Sequence, residues 1–256
     1  MSSKNNEHVL KSQDAPTEVL LVDPVTLPIA RKLASLNVHP LTITAFAFIF
    51  RMAGAVLFAT NYLAVGAVAS IIGFYLDGID GKIARLRKLD QELHGTVDFL
   101  LDQVAFAAMG IGALIWSLNH GNHLMSILIC SWVAFYMILM AFTSTWFRLL
   151  SQRQQAYEIG THHKVFKDTI NRNSKSFIAT ILLGLEKVFV TSKEKLAKYR
   201  MIPYFGAIES ELMIFMIAPF VNFHWITLLL AVIFLLPDIF ITFGLCIMMA
   251  LRSRNK

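Results

Sequence analysis

Charge is scarce in this chain. Only 16% of its 256 residues are Asp, Glu, Lys or Arg, against roughly 25% in an ordinary soluble domain. Cysteine is nearly absent: Cys130 and Cys246 are the only two, and both stand in apolar runs. They have no metal-type spacing, so neither a disulfide framework nor a cysteine metal site is expected. There is no internal repeat and no low-complexity tract. The first residues carry no pattern of cation, apolar run and small-residue cleavage site, so no removed leader is expected.

What the chain has instead is apolar. Hydrophobic residues make up 56% of it, with 20 Phe and 11 Met, and mean hydropathy is +0.58. That excludes a water-soluble globular domain and a disordered chain. At ~20 apolar residues per crossing, the length suits about six membrane-spanning helices. A net charge of +6 could suggest nucleic acid, but in a membrane protein it reads as cationic loops beside anionic lipid.

The hydropathy pattern gives the layout. Residues 1–22 read as a mobile polar arm, and 23–256 as one membrane domain. Asp23 to Leu36 reads as a short amphipathic helix lying at the interface. Asn37-Val38-His39-Pro40 breaks it. Spans are expected over about 41–60, 62–77 (the helix continuing past Arg85), 95–118, 124–147, 207–220 and 225–251. The stretch 148–206 is rich in cations, and its apolar patch Phe177–Val190 is too short and too charged to cross a bilayer, so an interfacial helix is expected there. The fold class is thus an all-α integral membrane protein with six transmembrane helices and an N-terminal interfacial helix. With six spans, every Lys and Arg except Arg51 falls on the side that holds both termini. Loops that rich in cations belong in the cytoplasm.

Four aspartates sit where spans two and three reach that side. Asp77 and Asp80 are spaced i,i+3, and Asp98 and Asp102 i,i+4, so each pair shares one helix face. The helices are consecutive and antiparallel, which lets the pairs meet. Four carboxylates at a membrane edge repel one another and need cations. An all-oxygen ligand set selects hard divalent ions such as Mg²⁺ or Mn²⁺. Gly81 and Ala84 would let a ligand approach the backbone, and Arg85 offers a planar fork suited to phosphate. Together these describe a site for a metal-bound diphosphate. A chance match to these seven residues at fixed spacing is on the order of 10⁻⁸ per start position.

The run Asp77-x2-Asp80-Gly81-x2-Ala84-Arg85, followed by Asp98-x3-Asp102, resembles the signature of the CDP-alcohol phosphatidyltransferases. That signature reads D-x2-D-G-x2-A-R-x8-G-x3-D-x3-D. The chain departs from it at His94, where the family has its second Gly; Gly95 follows one place later. Either the turn shifts by one residue, or His94 enters the site. The Pro-Asn-x-x-Thr often found before span one becomes Pro40-Leu41-Thr42-Ile43-Thr44, without the Asn. The resemblance implies two Mg²⁺ or Mn²⁺ ions on Asp77, Asp80, Asp98 and Asp102, with Asp98 and Asp102 catalytic and Asp102 also the general base. It implies that Gly81, Ala84, Arg85 and Thr44 meet the nucleotide diphosphate, and that the protein is a homodimer. The expected reaction moves a phosphatidyl group from a CDP-linked lipid donor to a small hydroxyl acceptor and releases CMP. Transfer of a CDP-activated headgroup to diacylglycerol is the alternative within enzymes. From other classes, a cation transporter and a catalytically inactive scaffold are the alternatives.

Arg51, mid-span, must face protein or a cavity, since a charge there costs at least about 2.5 kcal/mol. It reads as a polar contact near substrate or as a buried partner of Asp238 or Glu211. With His94 and Glu211 it is a candidate for the acceptor pocket. Glu209 reads equally as a solvated helix start. His162 and His163 read as a solvated basic loop. The cations from Lys164 to Arg200 read as a lipid-headgroup surface, with gathering of an anionic acceptor as the sharper alternative.

Overall fold

The computed structural model describes residues 9–11, 13–89, 91–151, 195–196 and 198–254. Most of the expected basic segment, including its interfacial helix and His162 and His163, lies outside the described residues. Among those described, the architecture is all helix, apart from one isolated bridge between Asp14 and Met201.

A short π-helical turn, Glu18–Val22, leads into α1, Asp23–Ser35. Asn37 takes a left-handed conformation, which suits Asn at a helix end. Pro40 then occupies the first turn of α2, Pro40–Ala59, where its missing amide hydrogen is no loss. The expected break at 37–40 is therefore where it was placed. Next come α3, Leu63–Arg87, α4, Gln91–Asn119, and α5, His123–Ser151. α6 starts as Ala207–Glu211 and continues through π turns at Leu212–Ile217 into 3-10 turns at Ala218–Val221. Pro219 falls where the pitch changes, because it has no amide hydrogen and its ring crowds the preceding turn. α7 spans Trp225–Arg254.

Among the described residues, five stretches are long and apolar enough to cross a bilayer: Pro40–Ala59, Leu63–Arg87, His94–Asn119, His123–Ser144 and Trp225–Gly244. α6 occupies the sixth expected span but is shorter and of mixed pitch. Turns at the end away from the aspartates close on left-handed Asn61, Gly121 and Asn222.

α2 is the organising helix. α3 and α4 both lie along it, and they touch each other far less. Close approach explains the small residues. A methyl at Gly54 would come within 2.7 Å of Ser70 Oγ, and one at Gly66 within 2.7 Å of the Phe58 ring. A methyl at Gly112 would collide with the Ala55 carbonyl. The second half of the bundle is aromatic. Phe58, Phe106, Trp132 and Phe215 stack or meet edge to face. The Trp132 indole donates to Ser210 Oγ at 2.6 Å, and Ser210 donates to the Ala231 carbonyl at 2.6 Å. That chain fixes α6 between α5 and α7, with a polar group satisfied at each step.

Within the polar arm expected over 1–22, the described residues 9–11 and 13–22 contact the rest of the chain. Val9, Ala15 and Val22 are buried, and the Thr17 amide donates to Glu209 Oε1 at 3.1 Å. Within the apolar run Val19-Leu20-Leu21-Val22, Val22 is the buried residue, while Leu20 and Leu21 are exposed.

Candidate active site

The aspartates do meet, although not by direct packing of α3 on α4. Carboxylate oxygens of Asp77, Asp98 and Asp102 lie within 4.8 Å of one another, as a metal site requires. α2 brings them together. Its Arg51 reaches between α3 and α4 and pairs with Asp102, with Asp77 at 3.4 Å, and with Glu211 of α6 at 3.6 Å. Of the two partners considered for Arg51, Glu211 is the one found. Asp238 instead accepts from the Ala207 amide at 2.6 Å, at the start of α6. The guanidinium lies 5.0 Å from the centre of the Phe106 ring, which adds a cation–π contact. Arg51 is 2% exposed, so these three acids and one ring are what make its burial tolerable.

Asp80 is buried, and Thr44 donates to its Oδ2 at 2.6 Å. Thr44, expected on the diphosphate, thus lies beside Asp80. His94 lies in the first turn of α4 and is not among the residues that line the cavity over the aspartates. Its Nε2 is 3.9 Å from Asp80 Oδ1, and neither ring nitrogen has a hydrogen-bond partner. It thus flanks Asp80. Ala84, expected at the nucleotide, is 2% exposed and does not border the cavity.

A cavity of about 330 Å³ opens over the cluster, walled by Asp77, Asp80, Asp98, Asp102, Gly81 and Arg85 on one side. Arg51, Glu211, Phe106 and Tyr136 close its inner end, and Lys11 and Glu18 stand at its rim. Glu211 therefore lines the cavity, as expected of an acceptor-pocket candidate. Glu209 does not; it is buried, and its Oε2 accepts from the Gly206 amide at 2.9 Å as a helix cap. Its favourable place at the positive end of α6 is the reason it is there.

Asp98 Oδ1 and Glu211 Oε1 are buried without a hydrogen-bond partner. An all-carboxylate cluster with an orphaned oxygen is a chemical fit for hard divalent cations, which take oxygen ligands. Asp77, Asp98 and Asp102 supply converging atoms, and Asp80 stands beside them.

Comparison with known proteins decides the class. The family model for CDP-alcohol phosphatidyltransferase matches residues 37–237, which covers the four aspartates, Arg51, Arg85 and Glu211. The chain belongs to the CDP-alcohol phosphatidyltransferase family. This CDP-alcohol phosphatidyltransferase is an enzyme and a multi-pass membrane protein. No curated protein matches the sequence. Among solved structures, the fold is similar to that of Mycobacterium tuberculosis phosphatidylinositol phosphate synthase with CDP-DAG bound. There the TM-score is 0.56 at 14% identity, over 87% of this chain and 94% of that one. The same enzyme with manganese and citrate gives 0.55 at 15% identity, over 87% and 88%. Its apo form gives 0.52 at 15% identity, over 85% and 94%. α3 and α4 run unbroken through the acids, unlike the interrupted helices of a transporter site.

Sequence reading missed three members of the site region. Lys82 fills a variable position of the signature, yet it is 1% exposed. It pairs with Glu18 and Asp23, each at 3.0 Å, and donates to the Gly78 carbonyl. Glu18 and Lys11 come from the stretch taken as an arm. Burial raises the Glu18 carboxyl above its usual range, and the Lys82 ammonium opposes that shift. A cation inside an otherwise buried motif was the available signal, since such a charge demands acids from elsewhere.

Proposed function

We propose that this enzyme transfers a phosphatidyl group from CDP-diacylglycerol to a small polar alcohol and releases CMP. The observation that carries this reading is the convergence of Asp77, Asp98 and Asp102 beneath a cavity that also presents Arg85. In this reading Asp77, Asp80, Asp98 and Asp102 hold two Mg²⁺ or Mn²⁺ ions. Such ions neutralise a diphosphate and stabilise CMP as the leaving group. Arg85 binds diphosphate oxygens through its fork. Asp102 takes the proton of the acceptor hydroxyl. The acceptor oxygen bonds to the lipid-bearing phosphorus, and the bond from that phosphorus to the CMP oxygen breaks, CMP leaving with the electron pair. Arg51 and Glu211 border the acceptor end of the cavity, and His94 stands behind Asp80.

The setting belongs to the same proposal. α6 serves as a sixth, shorter span. α1 lies at the interface: Val22, Thr26 and Ala30 turn into the protein, while Leu21, Val25 and Ile29 are exposed. The cation-rich side, which holds the site and both termini, faces the cytoplasm, and two copies form a homodimer. The cations from Lys164 on serve as a lipid-headgroup surface, apart from Arg200, which pairs with Asp23.

The test is CMP release by purified protein, with CDP-diacylglycerol and Mn²⁺ or Mg²⁺, across serine, inositol, inositol phosphate, glycerol phosphate and choline. One alcohol should drive release. No release with any of them, together with release from a CDP-headgroup donor and diacylglycerol, would replace this donor assignment by the alternative one.

Gly81 offers a finer test. A methyl there would lie 3.6 Å from Arg85 Nη1, an ordinary contact, so Gly81→Ala should fold with an unchanged melting temperature. The methyl would occupy space on the cavity wall where the nucleotide is placed. The KM for CDP-diacylglycerol should rise about tenfold, which corresponds to ~1.4 kcal/mol. An unchanged KM would remove Gly81 from the nucleotide site.

A further inference from the structure

The segment from Val9 to Asp23 crosses the rim of the cavity as a strap, and it is tied down at both sides. On the α3 side, Arg85 Nε donates to the Val9 carbonyl at 2.6 Å, and Lys82 pairs with Glu18 and Asp23. On the other side, the Asp14 amide donates to the Arg200 carbonyl at 2.8 Å, and the Ile202 amide to the Asp14 carbonyl at 3.0 Å. The Arg200 guanidinium closes the latch: Nε donates to the Lys11 carbonyl at 3.0 Å, and both terminal nitrogens reach Asp23 Oδ2 at 3.2 Å.

The bond to Val9 matters for the direction of Arg85. It uses Nε and leaves both terminal nitrogens, which lie over Gly81 at 3.6 and 3.8 Å from where a methyl would sit. Those nitrogens carry four of the five N–H donors of an arginine. A planar fork fixed at Nε presents them as a set, the geometry that bidentate phosphate recognition needs. Two residues beyond Val9, Lys11 stands at the same cavity rim. Its only ion pair among the described residues is with Asp14, at 3.4 Å, and the Lys11 side chain is 56% exposed. Such a surface pair is worth little, so the ammonium is free to turn to a stronger anion.

We propose that the strap is a working wall of the donor site: the Val9 carbonyl orients the Arg85 fork, and Lys11 supplies a second cation to the nucleoside diphosphate of the donor. This rests on the donor reading given above. Val9 and Arg200 are positioning residues, and Lys11 is a binding residue. A backbone carbonyl does the orienting, which explains why no side-chain motif marks the function in the sequence.

The experiment measures kcat and KM for CDP-diacylglycerol in the full chain, for wild type, Lys11→Met, Lys11→Arg and Arg200→Met. Lys11→Met should raise KM about tenfold with kcat within about twofold, and Lys11→Arg should restore most of the loss. Arg200→Met, which releases the latch without touching the cavity, should raise KM in the same direction. A strap that merely packs would change the melting temperature and leave KM alone. An unchanged KM in either Met variant overturns the proposal while wild-type turnover keeps the donor reading. Absence of CMP release from CDP-diacylglycerol by wild type overturns both.

Discussion

Asp102→Asn is expected to lower CMP release by about 10³-fold or more, since in the proposed reaction Asp102 is both the general base and a metal ligand. The geometry makes this residue the most exacting of the four. Asp102 shares the tight carboxylate cluster with Asp77 and Asp98, and it pairs with Arg51. Its amide isostere keeps the volume and loses the charge. It can neither accept the acceptor proton nor ligate a hard cation as strongly. The measurement is single-turnover CMP release at saturating donor and alcohol, with melting temperature as a control for folding. Turnover within tenfold of wild type would take Asp102 out of the base role. Loss of turnover with unchanged Mn²⁺ affinity would separate the base role from the ligand role.

The second large effect concerns stability. Arg51 holds three acids at the inner end of the cavity, and its side chain is 2% exposed while Asp77 and Asp102 are about a quarter exposed. Arg51→Met fills much of the same space and leaves the acids facing one another uncompensated. Loss of one partner in a buried ionic cluster costs about 3 kcal/mol or more. The partial exposure of two partners places the expectation at the lower end, about 3 kcal/mol. Divalent cations on the same carboxylates should offset part of that cost, because they supply the positive charge that was removed. Thermal unfolding in EDTA and in Mn²⁺ checks this. The deficit of the variant should shrink in Mn²⁺. An equal deficit in both would show that Arg51 is not the counter-charge of the carboxylate cluster.

The structure also shows which parts of such a site a sequence can carry. The spacing of Asp77, Asp80, Asp98 and Asp102 was legible because helical periodicity fixes which residues share a face. The break before α2 was legible because Asn37 and Pro40 act locally. Arg51 was legible as a buried charge, since hydropathy places it mid-span, but its partner was open. The relative depth of α6 and α7 decides between Glu211, which pairs with Arg51, and Asp238, which accepts from the Ala207 amide, and the sequence alone does not set that depth. The bond from Thr44 to Asp80 was not legible, because a hydroxyl at that position could meet either a ligand or a carboxylate of the next helix. The strap was illegible for a different reason. Its contribution is a carbonyl and one lysine on a segment whose average composition is polar, and only the tertiary fold brings it over the cavity.

The central claim is that the four aspartates of α3 and α4 carry a cation-dependent, CMP-releasing transfer. The most direct test is CMP release from CDP-diacylglycerol by wild type and Asp98→Asn, with and without Mn²⁺, in the presence of the alcohol found to be active. Wild type should release CMP only when both Mn²⁺ and the alcohol are present, and Asp98→Asn should release almost none. Release by wild type in EDTA, or an undiminished rate in Asp98→Asn, would contradict it.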